Sequence, residues 1–182
     1  MMGLAGLYAA QFRTSLATMF QYRAALVIWL ISQVLDPVIY LIVWSTVAVA
    51  SGGSVGGYTS GDFAAYFLLL TVVNHLTYTW IMWEYEYRVQ GGTLSAALLR
   101  PVHPIHADIA DNLSSKVVST PGILLATLIL GVLFRPTLHF TGWAVASFFP
   151  AVALAFFVRF FVEWTLALTA FWTTRVNAIN QM

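Results

Sequence analysis

Polar and ionisable side chains inside apolar sequence are where this chain could do chemistry. Asp36, Lys116, Arg159 and Glu163, together with Asn74 and His75, all fall within long apolar runs. A charge in a membrane span is costly, so such a group either pairs with another or lines a path for a polar solute. Asp36 lies roughly 20 Å along a helix from Arg23 at about 1.5 Å per residue, well inside a bilayer. Arg159 and Glu163 are spaced i,i+4, which puts both side chains on one helix face. Lys116 has Asp111 and Asp36 as candidate partners. Two roles stand for the set: structural pairing between helices, and a polar lining for a substrate path or gate. For His75, next to Asn74 in mid-span, they are an interhelical hydrogen bond and a proton relay.

Other chemistries find less support. His103, His106 and Asp108 could be drawn as a metal cluster, but Pro104 sits in a loose loop between the two histidines and the ligand set is not closed. They read as loop residues at the membrane interface, and no metal site is assigned. Glu84 and Glu86, at i,i+2, point to different helix faces and make no paired-carboxylate centre. No nucleophile and base stand at recognisable spacing, so no catalytic residue is assigned and the chain is not read as an enzyme. The chain has no cysteine, which excludes disulfides, thiolate metal sites and cysteine nucleophiles. Its net charge of +1 gives no footprint for nucleic acid.

Composition explains why charges are so few. The chain is 60% hydrophobic and 8% charged, with mean hydropathy +0.81. Soluble domains carry about 25% charged residues. This one could not cover a soluble surface and reads as an integral membrane protein in contact with the lipid bilayer. The expected fold is all-α: a polytopic transmembrane helical bundle with an N-terminal interfacial helix.

The elements that must position these groups follow from hydrophobic patterning. Leu4, Leu7, Tyr8, Phe12, Leu16, Met19 and Phe20 share one face of a helix over 4–21, with Arg13, Thr14, Thr18 and Gln21 on the other. That pattern suits a helix lying in the membrane interface. The first basic residue, Arg13, comes too late for a signal-peptide n-region, so this segment reads as retained. Spans are expected at about 24–50, 63–83, 107–134 and 138–172. Asp36-Pro37 is expected to kink the first. The fourth is long enough for one tilted helix or a helix with a break. Residues 51–61, SGGSVGGYTSG, read as a flexible loop, and without a Lys they are no phosphate-binding loop. With the N-terminus in the cytoplasm, Arg13, Arg23, Arg88, Arg100 and Arg175 lie inside and Arg135 alone outside, as the positive-inside rule favours. Residues 84–106 are then cytoplasmic. An even number of spans with a polar end suggests that the native protein continues.

Within 84–106, Gly91-Gly92 stops a helix and Thr93 can cap a new one, which Pro101 ends. Leu94, Leu98 and Leu99 are expected on one face of this short helix, and Arg100 complements its dipole. It either rests on lipid or docks into a groove of a soluble partner.

The segment VNHLTYTWIMWEYEYRVQGGTLSAALLRPVHPIHADIADN and the GYTSGDFAAYFLL entry before it carry a resemblance. With the interfacial helix and the Asp-Pro span, the chain resembles the permease subunit of a bacterial type-2 ABC transporter, in the ABC-2 family transporter protein group. The resemblance implies six spans in the whole permease, so that this chain looks C-terminally incomplete. It implies a coupling helix after the second span, carried here by Gly91, Thr93, Leu94, Leu98, Leu99, Arg100 and Pro101. It implies a separate ABC ATPase subunit that binds ATP and magnesium, the permease itself holding no cofactor. It further implies a second permease subunit, the same or related, and a location in the bacterial plasma membrane. The function it implies is ATP-driven movement, by export, of a solute the sequence does not specify. A non-transporting membrane scaffold or an inactive permease fragment is the other reading.

Overall fold

This computed structural model describes residues 4–173, so Arg175 and its place in the charge count lie outside the described residues. The fold class is all-α, that of a polytopic helical bundle. Its helices are α1 (Leu4–Gln21), α2 (Arg23–Ala50), α3 (Ser60–Thr77), α4 (Ile81–Gln90), α5 (Thr93–Leu98), α6 (Ile105–Phe134), α7 (Gly142–Ala167) and α8 (Ala170–Thr173). Four stretches are long and apolar enough to cross a membrane: Ala24–Ala50, Ser60–Gln90, Ile105–Phe134 and Gly142–Thr173. On the third stretch apolar side chains turn outward and polar ones inward, as a lipid solvent favours. On α6, Asp108, Asn112, Ser114, Ser115, Lys116 and Ser119 are buried while Leu125, Leu128 and Val132 are exposed.

The helix bounds refine several expectations. The second span does not run as one helix over 63–83. It starts at Ser60, breaks at 78–80 and resumes as α4 to Gln90. The 84–106 segment is thus mostly helical, with α4 at its start and the first residues of α6 at its end. The Gly-rich loop is a two-stranded hairpin, β1 (Ser54–Val55) against β2 (Tyr58–Thr59), turning at Gly56 and Gly57, both at positive φ. Two glycines between the strands supply the left-handed backbone of a tight hairpin turn. The fourth apolar stretch begins at Gly142 and is broken between Ala167 and Ala170. The third begins at Ile105 and ends where Arg135 takes φ 48°, a left-handed stop before Pro136. Helical geometry continues through Pro37, with no interruption of α2.

The chain divides into two compact units. One gathers Met1–Ala17, Thr77–Ser115 and Ala153–Met182. Its core is Ile81, Met82 and Tyr85 of α4, Leu94 of α5, Phe156, Phe160 and Ala167 of α7, and Ala170 of α8. On α1, Leu7, Tyr8, Phe12 and Leu16 are half-buried, as their spacing implies, but Gln11 and Ser15 share that stripe. Phe20, placed on the same face from the sequence, is 69% exposed.

The other unit gathers Thr18–Leu76 and Lys116–Val152. Leu41 of α2 packs with Ala64, Phe67 and Leu68 of α3, flanked by Leu130 and Phe134 of α6. Gly122 admits α2 closely, since a Cβ there would meet Leu30 Cδ1 at 2.8 Å. At the hairpin end, Asp62 accepts from the Thr59 amide at 2.9 Å and its hydroxyl at 2.7 Å, and from the Thr137 hydroxyl. This carboxylate caps the first turn of α3 and ties the hairpin to the strap after α6.

Candidate functional site

The unit holding α4 and α5 carries the proposed coupling segment together with His103, His106 and Asp108. α4 runs to Gln90 and Gly91, and the chain then turns through Gly92 at φ 69°. Gly92, not Thr93, is the N-cap of α5, and no side chain caps the helix. Thr93 is its first residue, and its hydroxyl donates to the Arg88 carbonyl at 3.5 Å. The left-handed backbone explains the change, because it must be glycine and leaves Thr93 one position too late to cap. Substituting Gly92 with Ala is expected to cost about 1–2 kcal/mol of stability through this strain. Thermal unfolding in detergent, with Gly91→Ala as the control at negative φ, checks it.

The leucines of α5 do not act as one face. Leu94 is 4% exposed and sits in the core with Ala97 packed beside it, whereas Leu98 and Leu99 are 57% and 88% exposed. The helix ends at Leu98, Leu99 follows as its C-cap with its N–H on the Ser95 carbonyl at 3.3 Å, and Arg100 and Pro101 come after it. The result is an anchored helix whose far end presents two leucines and an arginine.

The same unit holds a charged cluster that sequence spacing does not disclose. Asp108, in the first turns of α6, is 3% exposed. It accepts from Arg88 Nη1 of α4 at 2.7 Å, from the Tyr85 hydroxyl of α4 at 3.2 Å and from Trp164 Nε1 of α7 at 3.2 Å. Arg88 also pairs with Glu84 one turn before it. One turn along α6, Asp111 accepts from Gln11 Nε2 of α1 at 3.0 Å and from the Ser15 hydroxyl. His106 Nδ1 meets the Tyr8 hydroxyl at 3.0 Å, and the His103 ring lies 5.7 Å from that of Trp164. Of the three residues once drawn as a metal cluster, His106 thus meets Tyr8, while His103 and Asp108 both meet Trp164. Glu86, the other carboxylate of α4, accepts from Gln90 at 3.3 Å.

The intramembrane candidates are dispersed. Arg159 and Glu163 of α7 pair at 3.4 Å, and the Arg159 guanidinium also lies 5.0 Å from the ring of Tyr78 in the break before α4. His75 of α3 is buried, with Nδ1 3.0 Å from Gln33 Oε1 of α2 and Nε2 3.2 Å from Thr120 Oγ1 of α6. With the Gln33 amide oxygen as acceptor, Nδ1 carries the proton and Nε2 accepts from Thr120 and from Ser119 at 3.4 Å. Lys116, for which Asp111 and Asp36 were the sequence candidates, donates to the His75 carbonyl at 3.2 Å. These contacts join α2, α3 and α6. Asn74 and Asp36 are exposed on α3 and α2. His75→Ala is expected to destabilise this three-helix node by about 1–2 kcal/mol, since interhelical hydrogen bonds in membranes are individually weak. Unfolding in mixed micelles measures it, and the α4–α5 unit is expected to keep its own stability.

The architecture defines a multi-pass membrane protein with one anchored polar-end helix and no catalytic constellation among the described residues. The sequence model of the ABC-2 family transporter protein matches residues 17–182, and the chain belongs to that family of membrane transport components. No curated protein and no solved structure gives a match.

Proposed function

We propose that the chain is the permease subunit of an ATP-driven transporter, coupled to a separate ATPase subunit through Leu98, Leu99 and Arg100 at the end of α5. The observation that carries this reading is the division of α5 between a buried and an exposed leucine. Apolar exposure on a span is covered by lipid, but Leu98 and Leu99 stand in a segment flanked by Glu84, Glu86, Arg88 and Arg100. An apolar tip rimmed by polar residues is the mark of a docking site. Membership of the family supports association with an ABC ATPase subunit, and in this reading ATP and magnesium are bound by that partner. Basic-residue bias supports a cytoplasmic N-terminus, which places 91–101 in the cytoplasm and the β1–β2 hairpin outside. The membrane is the bacterial plasma membrane, two permease subunits pair there, and the solute moves outward.

In operation, ATP draws the ATPase subunits together and the docked tip of α5 moves with them. Leu94 and the charged cluster carry that motion into α4, α6 and α7, and rocking of the spans alternates access. The experiment is co-purification of the gene product with the products of neighbouring genes, followed by ATP hydrolysis in lipid vesicles. Capture of a P-loop ATPase whose rate changes with the permease supports the reading. A purified permease that captures none, and leaves hydrolysis by the neighbouring ATPase unchanged, points to a scaffold or an inactive fragment.

A further inference from the structure

Asp108 is more than one end of an ion pair. It is buried, and its two oxygens take donors from two other helices: Arg88 and Tyr85 from α4, Trp164 from α7. Asp111, at i+3 on the same helix, takes Gln11 and Ser15 from α1. Two carboxylates one turn apart therefore fasten three elements to the base of α6. Apolar side chains would fill this space at lower desolvation cost, because a buried carboxylate gives up its hydration and Arg88 is already shared with Glu84. What a carboxylate supplies that a leucine cannot is fixed direction toward several donors at once.

The position of this joint matters because of what lies beside it. The chain between α4 and α5 turns through Gly91 and Gly92, two residues without side chains to stiffen them. A push on α5 could be absorbed at that turn. It is not absorbed if α4 is held to α6 and α7 while Leu94 is held in the same core.

We propose that Asp108 is the positioning residue of the coupling segment, joining Arg88 and Trp164 so that α4, α5 and the adjoining end of α7 move as one body. The proposal rests on the reading of α5 as the docking element, and it concerns how displacement is passed on rather than what is docked. Arg88 and Trp164 serve the same joint from their own helices.

The chain has no cysteine, so paired labels can be placed without background. Spin labels at Ala96→Cys on the exposed side of α5 and Val162→Cys on the exposed side of α7 report the separation of the two helices in the full chain in lipid nanodiscs. Double electron–electron resonance on the otherwise unaltered chain is expected to give one narrow distance distribution. Asp108→Asn is expected to widen it about twofold, and Asp108→Glu, which keeps the carboxylate, to restore most of the narrowing. In the complex with the ATPase, Asp108→Asn is expected to retain the subunit while permease-dependent change in ATP hydrolysis falls about fivefold. A distribution as narrow in Asp108→Asn as in its parent overturns the proposal, and so does unchanged hydrolysis coupling. Should Asp108→Asn fail to insert, Trp164→Phe removes only the indole donor, and the same widening is required of it. If the parent chain captures no ATPase, the docking reading fails, while the label widths still decide whether Asp108 holds the joint.

Discussion

Replacing Leu98 and Leu99 together with glutamate is expected to reduce capture of the ATPase subunit at least about tenfold, with insertion and helix content unchanged. Both side chains are exposed, at 57% and 88%, so neither substitution opens a cavity or buries a charge within the chain. Each would instead put a carboxylate into whatever apolar groove receives the tip, and an unpaired charge in a desolvated contact is strongly unfavourable. Deleting 93–100 outright looks like the more direct experiment, but it would remove Leu94 from the core formed with Tyr85, Phe156 and Phe160. Loss of the partner would then report collapse of the unit as readily as loss of docking. Pull-down from solubilised membranes, with Leu94→Ala as a separate folding control, keeps the two effects apart. Undiminished capture by the double glutamate variant would show that α5 is not the contact.

The second large effect is expected at Arg88. Arg88→Met removes the guanidinium that serves both Glu84 and Asp108 and leaves Asp108 buried among Tyr85 and Trp164 with no cation. Removing one partner of a buried pair costs about 3–5 kcal/mol, because the remaining charge has lost its hydration and its counterion together. Asp108→Asn is expected to cost less. There Arg88 keeps Glu84, and the amide oxygen still accepts a hydrogen bond. The order of the two variants in thermal unfolding therefore checks the arrangement of charge, beyond the bare importance of the site. Equal stability of Arg88→Met and the parent chain would mean that the cluster contributes nothing to folding.

Local patterns were readable in the sequence and distant ones were not. The long helices follow from uninterrupted apolar runs, and Arg159 with Glu163 from a spacing that one helix converts directly into contact. The hairpin also had a local signature, Gly56-Gly57 between Val55 and Tyr58, hidden by a Gly- and Ser-rich surround that reads equally as a loop. The break at 78–80 had none: Tyr78, Thr79 and Trp80 include neither proline nor glycine, so tertiary packing decides it. The joint at Asp108 was invisible because its partners stand 20, 23 and 56 residues away, and spacing carries no information at that range. Leu94 and Leu98, at i,i+4, do lie on one side of a helix. α5 is only six residues long, however, and Leu98 is its last, so one leucine reaches the core and the other passes its edge.

The central claim, that the end of α5 meets a separate ATPase, is tested most directly by cross-linking from single cysteines in a chain that has no others. A benzophenone maleimide on Ala96→Cys is to be compared with one on Ser54→Cys in the β1–β2 hairpin, in membranes that contain the ATPase subunit. Both positions are exposed. The expected result is a covalent adduct with the ATPase from position 96 and none from position 54. An adduct from position 54, or the absence of one from position 96 while the complex co-purifies, would contradict it.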